Sequence, residues 1–399
     1  MSNAYPKLSL HLLRSLPPHC VNRDENGVPK SSYFGGTLRG RVSSQAQKRA
    51  VRTSPDLRAA GPVAVRTREA YKLLVEPLVE RGHDAEEAWK VIAAFLPVFF
   101  VNIGKNAEDV EDDRHIAGAV MAMSPDEVVA VIAGLHSRFD AILAALPDGQ
   151  ESAEEKEKPK KGKKKESKES PTAALAKELT ERFQGWTSAV DIALFARMVS
   201  GNDNLEIAGA AQVAQMISTH AAPPQKDYYT SLDDLADNAA MIGETLYAAG
   251  VYYQNVNLDW RQLLENLAGD EALAVRAVRA LVRSTVLTLP RGRRSTYFAD
   301  SLPGLVVAEI RKGGIYSLAN AFEQPVQSRE GLMGASVKAL AAYWPFVNRM
   351  AGQPAAVVGL AGAPEVEAAL NETYLKGAAR WAQSLDEFVE CAVAELRAQ

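Results

Sequence analysis

Between Cys20 and Arg52 the chain concentrates the residue types that hold a polyanion. From Pro29 to Arg52 there are six basic residues (Lys30, Arg39, Arg41, Lys48, Arg49 and Arg52) and no acidic one. On a helix, Lys48 and Arg52 are four apart and share a face, while Gln45 and Arg49 occupy a neighbouring strip. Ser43 and Ser44 stand at the start of that helix, where free backbone N–H groups and the helix dipole attract anions. Gly35-Gly36 would let a backbone pass close by. This combination suits a run of phosphates, and nothing in it reads bases. Composition leaves a second reading open, a basic exposed helix balanced by acidic surface elsewhere. The GxxxxGK[ST] spacing of a P-loop is missing.

Further along, Asp227-Tyr228-Tyr229-Thr230 sits within a stretch from Ser200 to Ala249 that is rich in Gly, Asn, Asp and Pro. The adjacent tyrosines suit stacking on bases, worth about 1–3 kcal/mol each where it occurs, or packing of a hairpin tip against a neighbouring protein. Catalysis finds little support. The six histidines (His11, His19, His83, His115, His136, His220) lack HExxH or other metal-ligand spacing. Cys20 and Cys391 carry no family signature and form no CxxC pair. The acidic runs at Glu108-Asp109, Glu111 to Asp113 and Asp233-Asp234 read as solvated faces. A metal-free ribonuclease using His19 or His220 is the remaining enzymatic option, because such sites need few residues.

The elements that must position these residues follow from periodicity. Lys7 to Leu13 alternates apolar and polar residues as a strand does, and Pro17 to Gly36 reads as a loop. A helix starts near Ser44, where Ser44-Gln45-Ala46-Gln47 fits a capping box, and ends before Pro55. Residues 65–186 read as mostly helical, with a second capping box at Ser124 to Glu127 opening a helix towards Leu146. Inside that region Glu151 to Pro171 holds eight lysines and six glutamates with almost nothing to bury, and is expected to be a solvated, disordered linker. Val190 to Met198 alternates like a second strand. Gly250 to Leu258 reads as a third, Trp260 to Leu287 as helical, and Gly304 to Arg311 as a fourth strand. Two helices follow, near Ser336–Met350 and Pro364–Arg397. Without its inserts the order is βαββαβ, an α+β fold of the ferredoxin-like or RNA-recognition kind.

Bulk properties bound the setting. The 399 residues suffice for one large or two smaller domains. The net charge of −4 hides a segregation: with six positive charges in the basic segment, the rest of the chain carries −10. No apolar run approaches the roughly 20 residues of a membrane span. The N-terminus lacks a signal-peptide pattern, and two distant cysteines suit a reducing cytoplasm.

The segment NRDENGVPKSSYFGGTLRGRVSSQAQKRAVR closely resembles the N-terminal signature of the Cascade backbone subunits, the CasC family of type I-E CRISPR systems. VDIALFARM, MISTHAAPPQKDYYTSLDDL, GVYYQNVNL and IYSLANAFEQP also look like blocks of that family, in the expected order. The resemblance implies a fold like a right hand. An RNA-recognition-like palm would comprise residues 1–64, 187–199 and 250–399, helical fingers residues 65–186, and a thumb residues 200–249. It implies a protein that is not an enzyme, uses no metal or cofactor, and binds guide crRNA along the phosphates. Its partners would be further copies of itself, other Cascade subunits, target DNA paired through the guide, and a recruited helicase-nuclease. Carried over, the RNA-gripping positions are Arg23, Lys30, Ser43, Gln45, Lys48, Arg49, Arg52 and Met198. Ile242, with Met198, resembles an apolar wedge beside a displaced nucleotide, and Tyr228 and Tyr229 stand where the family has a thumb aromatic pair. The linker at 151–171 has no counterpart in the resemblance. The alternative within related RNA processing is a metal-free CRISPR repeat endoribonuclease.

Overall fold

The computed structural model describes residues 5–69, 71–100, 120–146, 170–199, 202–235, 239–352 and 355–398. They form two units, Met1–Gly61 with Gly209–Gln399, and Pro62–Ala208.

The first unit opens with strand β1 (Pro6–His19), seven residues longer than its apolar alternation. Leu8, Leu10 and Leu12 are buried, and so are Ser9 and His11 on the other side, because helices cover both faces. His11 meets this burial through a 2.8 Å bond to the Tyr253 hydroxyl. Pro17 and Pro18 fall where the pairing with the neighbouring strand shifts register between Leu16 and His19, the place where missing N–H groups cost least. The region expected as loop up to Gly36 is only partly so. β2 (Ser31–Phe34) and β3 (Thr37–Val42) form a hairpin, closed by Gly35 and Gly36 at φ +57° and +75°, a two-residue turn that requires positive φ at both positions. Helix α1 (Ser44–Arg52) follows. Its cap is Ser43 rather than Ser44, with Oγ accepting from the Ala46 N–H; Gln47 turns inward and is no capping-box partner. α2 (Pro55–Ala60), capped by Ser54, begins at the proline that stops α1.

The second unit is mostly helical, as expected, with one small exception. β4 (Val65–Thr67) is followed by α3 (Glu76–Val79) and α4 (Ala85–Phe99), and then by β5 (Met121–Met123), which pairs with β4. The capping box at Ser124 and Glu127 is present. It opens α5 (Pro125–Ser137), which breaks at Arg138 before α6 (Phe139–Ala144). α7 (Pro171–Phe183) is capped by Ser170, so the last two residues of the Lys/Glu segment start a helix, and the rest of that segment lies outside the described residues. Phe95, Phe99, Val131, Leu135, Leu175, Leu179 and Phe183 form this unit's core. The strand expected over Val190 to Met198 is instead α8 (Val190–Phe195), ended by Ala196 at φ +79°. All six of its residues are buried, and an apolar run covered on every side shows no period that separates helix from strand. Its Asp191 carboxylate accepts from the Ala64 N–H at 2.8 Å.

Back in the first unit, the stretch expected as one long loop supplies β6 (Ala211–Val213), β7 (Met216–Ser218), β8 (Gln225–Leu232) and the first half of β9 (Ala239–Asp259). α9 (Trp260–Asn266), α10 (Glu271–Leu287), β10 (Leu305–Lys312) and α11 (Leu332–Ala351) come next. The single terminal helix expected near Pro364–Arg397 is divided. β11 (Ala356–Ala361) precedes that region, and α12 (Pro364–Asn371), α13 (Leu375–Ala378), β12 (Arg380–Trp381) and α14 (Leu385–Ala398) stand in it. The sheet order is β12-β11-β10-β1-β9-β7-β3-β2, with β6 and β8 also paired to β9. α11 packs Val337, Leu340 and Trp344 against Leu13, Val251, Tyr253, Leu305 and Val307. α9 and α14 contact β1, and α10 packs on α2 and α14.

Candidate nucleic-acid interface

Asn22 organises the basic segment. Its carbonyl accepts from the Lys30 N–H at 3.0 Å, and its side-chain Oδ1 accepts from the Ser43 N–H at 2.8 Å. The strap between β1 and β2 is thereby fastened to the N-terminus of α1. Within the strap, Asp24 Oδ1 accepts from the N–H groups of Asn26 and Val28, each at 2.9 Å, a local turn that returns the chain to pair Arg23 with Pro29. Arg23, Lys30, Ser43, Gln45, Lys48, Arg49 and Arg52 all lie on this strap and helix. Arg23, Gln45 and Arg49 are exposed, and Lys30, Lys48 and Arg52 half-buried. Arg49 makes no ion pair among the described residues. α1 is held in place by its inner side: the Gln47 amide donates to the carbonyls of Val42 (3.1 Å) and Ala214 (2.9 Å), and its Oε1 accepts from Gln254 (3.1 Å).

Not every base in the segment belongs to this surface. Arg39 is fully buried and donates to the carbonyls of Ser218 (3.1 Å), Phe322 (2.9 Å) and Glu323 (3.1 Å). Burial lowers its pKa. Arg41 is bonded to the Gln215 side chain. The glycine pair also serves the protein itself, since a Cβ at Gly35 would collide with the Glu323 carbonyl.

Tyr228 and Tyr229 lie on β8, and Ile242 on β9, in a hairpin whose pairs begin where the pairing of β9 with β1 ends, at His19 and Ala248. Neighbours on a strand point to opposite faces, and Thr230 pairs with Ile242, so Tyr228 and Ile242 share one face and Tyr229 takes the other. Tyr228 is 66% and Ile242 72% exposed. The Tyr229 ring lies over Gly243, its cross-strand partner. Met198 follows α8 rather than ending a strand; it is 88% exposed and belongs to the second unit, whereas the strap and α1 belong to the first.

The histidines proposed as ribonuclease groups are engaged in the fold. His19 is buried, bonds Tyr252 through Nε2 at 3.0 Å, and is pushed down to about 4 by burial. His220 accepts the Val251 N–H on Nε2 (3.1 Å) and bonds the Ala221 carbonyl through Nδ1 (2.8 Å), an arrangement that requires the neutral Nδ1–H tautomer. Burial lowers its pKa. Among the described residues no group of three His, Cys, Asp or Glu is placed to hold a metal ion, and no helix is long and apolar enough to cross a membrane.

Two contributors escaped the sequence reading. Asn22 is one, and its signal was the asparagine preceding Arg23. The other is the loop after α10 with Arg291, Arg293 and Arg294, whose signal was three arginines in four residues. Gly292 there donates to the Val21 carbonyl at 3.2 Å, which places this loop beside the strap.

Comparison with known families matches residues 8–390 to the model described as CT1975-like protein. This chain belongs to the CT1975-like protein family. The family agrees with the Cascade backbone resemblance carried by Asn22 to Arg52. A chain in a solved structure described as "CRISPR RNA-guided surveillance complex, pre-nicking" is similar at 26% identity and TM-score 0.76, over 97% of this chain and 100% of that one. A second, from a "CRISPR RNA-guided surveillance complex", shares the fold at 23% identity and TM-score 0.70, over 97% and 99%. No curated protein matches.

Proposed function

We propose that this chain is a non-catalytic, guide-RNA-binding backbone subunit of a CRISPR surveillance complex, one of several copies along a crRNA. The observation that carries the reading is the row of Gln45, Lys48, Arg49 and Arg52 on α1, fastened by Asn22 to the strap bearing Arg23 and Lys30. Cations and helix N–H groups along a line suit successive phosphates and leave bases unread, so affinity depends on salt and little on sequence. The central order β10-β1-β9-β7, antiparallel throughout, with α1 and α10 in the crossovers, supports an RNA-recognition-like palm. The β8–β9 hairpin, apolar and exposed on Tyr228 and Ile242, suits contact with the next copy and displacement of a nucleotide at regular intervals. The intervening bases then remain available to pair with target DNA. Other complex subunits and a helicase-nuclease would supply the remaining steps in the cytoplasm.

Single-turnover incubation of labelled repeat RNA without metal tests the non-catalytic part. RNA that is bound and stays intact is the expected result; cleavage lost on His19→Ala or His220→Ala would establish the ribonuclease instead.

A further inference from the structure

The loop joining α10 to β10 touches two parts of the first unit that have separate tasks in the reading above. On one side it lies flush on the strap. A Cβ at Gly292 would stand 2.5 Å from the Cys20 carbonyl oxygen and 2.6 Å from that of Val21. Arg293 places its guanidinium 3.6 Å from where a Cβ of Gly27 would be. Arg293 and Arg23 also both act as nearby positive charges on the Cys20 thiol, opposing the rise that burial imposes.

On the other side the same loop grips the root of the hairpin. Arg293 donates to Thr245 Oγ1, and the Tyr297 hydroxyl donates to the Asp227 carboxylate at 2.9 Å. Asp227 and Thr245 are directly opposite each other on β8 and β9, so both members of one cross-strand pair are fastened to one loop. The Tyr247 ring adds a contact 5.9 Å from that of Tyr297. A two-stranded ribbon standing clear of a core has little stability of its own, so its direction is set where it leaves the sheet.

We infer that Arg293 and Tyr297 are positioning residues that couple occupancy of the phosphate track to the direction of the β8–β9 hairpin, and hence to docking of a second copy of this chain. The inference rests on the guide-RNA reading. An RNA phosphate held by the strap restrains the segment under Arg293. That restraint passes to Thr245 directly and to Asp227 through Tyr297, without either positioning residue needing to touch a base.

The test uses the full chain with Tyr297→Phe, which keeps the ring and removes the donor, and Thr245→Val, which removes the Arg293 acceptor. Hydrogen exchange of residues 225–229 and 243–247 is followed with and without an oligouridylate of about six nucleotides, room for roughly one copy. Guide-length RNA is then titrated to measure addition of an adjacent copy. In the unaltered protein the short RNA should slow exchange at the hairpin root. Both variants should bind the short RNA within about twofold of the unaltered chain, lose that slowing, and add the adjacent copy about tenfold more weakly. Asp227→Asn, which keeps an acceptor for Tyr297, should retain the coupling. Unchanged slowing and unchanged adjacent binding in both variants would overturn the inference alone. An unaltered chain that never adds a second copy would overturn the guide-RNA reading and the inference with it.

Discussion

Replacing Lys48 and Arg52 together with alanine removes two of five cations on the proposed track, the others being Arg23, Lys30 and Arg49. For single strands, each neutralised phosphate contributes about −0.7 to the slope of log affinity against log salt. Five contacts give a slope of about −3.5 per copy, and three give about −2.1. Between 50 and 200 mM salt the unaltered chain should therefore lose about 130-fold in affinity and the double variant about 20-fold. Fluorescence anisotropy on a labelled oligoribonucleotide short enough for one copy measures both slopes. Lys48 and Arg52 also contact neighbouring residues, so thermal unfolding is followed alongside. The loss should be the same for several RNA sequences, because phosphates carry no sequence information. A variant that folds and keeps the full slope would refute the phosphate track.

Arg39→Lys should behave in the opposite way. It leaves some of three carbonyls, two of them buried, without donors, so unfolding free energy should fall by about 2 kcal/mol while the salt slope stays the same. Gly35→Ala should destabilise far more than Gly36→Ala in denaturant titration, since both have positive φ but only Gly35 faces a backbone carbonyl, while Gly36 faces open space. His19 is depressed to about 4 in the folded chain against an ordinary 6.5. Its contribution is thus complete above pH 6.5 and is lost as pH falls towards 4, by up to about 3 kcal/mol; His19→Gln should flatten that part of the stability–pH curve. Tyr228→Ala with Ile242→Ala, both on one face of the hairpin, should leave binding of the first copy intact and weaken addition of the next.

What could be read from the sequence follows from what each segment packs against. The basic strip on α1 was legible because one helix carries charge outward and Val51 inward. The capping box at Ser124 was legible because it is a local motif complete within four residues. β1 and β10 are announced by their apolar residues, though the far end of β1 is not, since Arg14 to His19 continues as strand through polar and proline residues. The β8–β9 hairpin reads as loop because neither of its faces meets a core, and alternation has meaning only where one face is buried. α8 failed for the opposite reason, with every residue buried. In sequence Arg39 is indistinguishable from the surface cations, because charge alone does not reveal the three carbonyls that receive it. Asn22 could not be recognised as the clasp between strap and helix before Lys30 and Ser43 were brought to its two acceptors.

The most direct measurement is the mass of the purified protein in native conditions with and without an excess of guide-length RNA, followed by inspection of the RNA for cuts. Several copies on one intact RNA are expected from a backbone subunit. A single copy per RNA, or an RNA that returns trimmed, would contradict it.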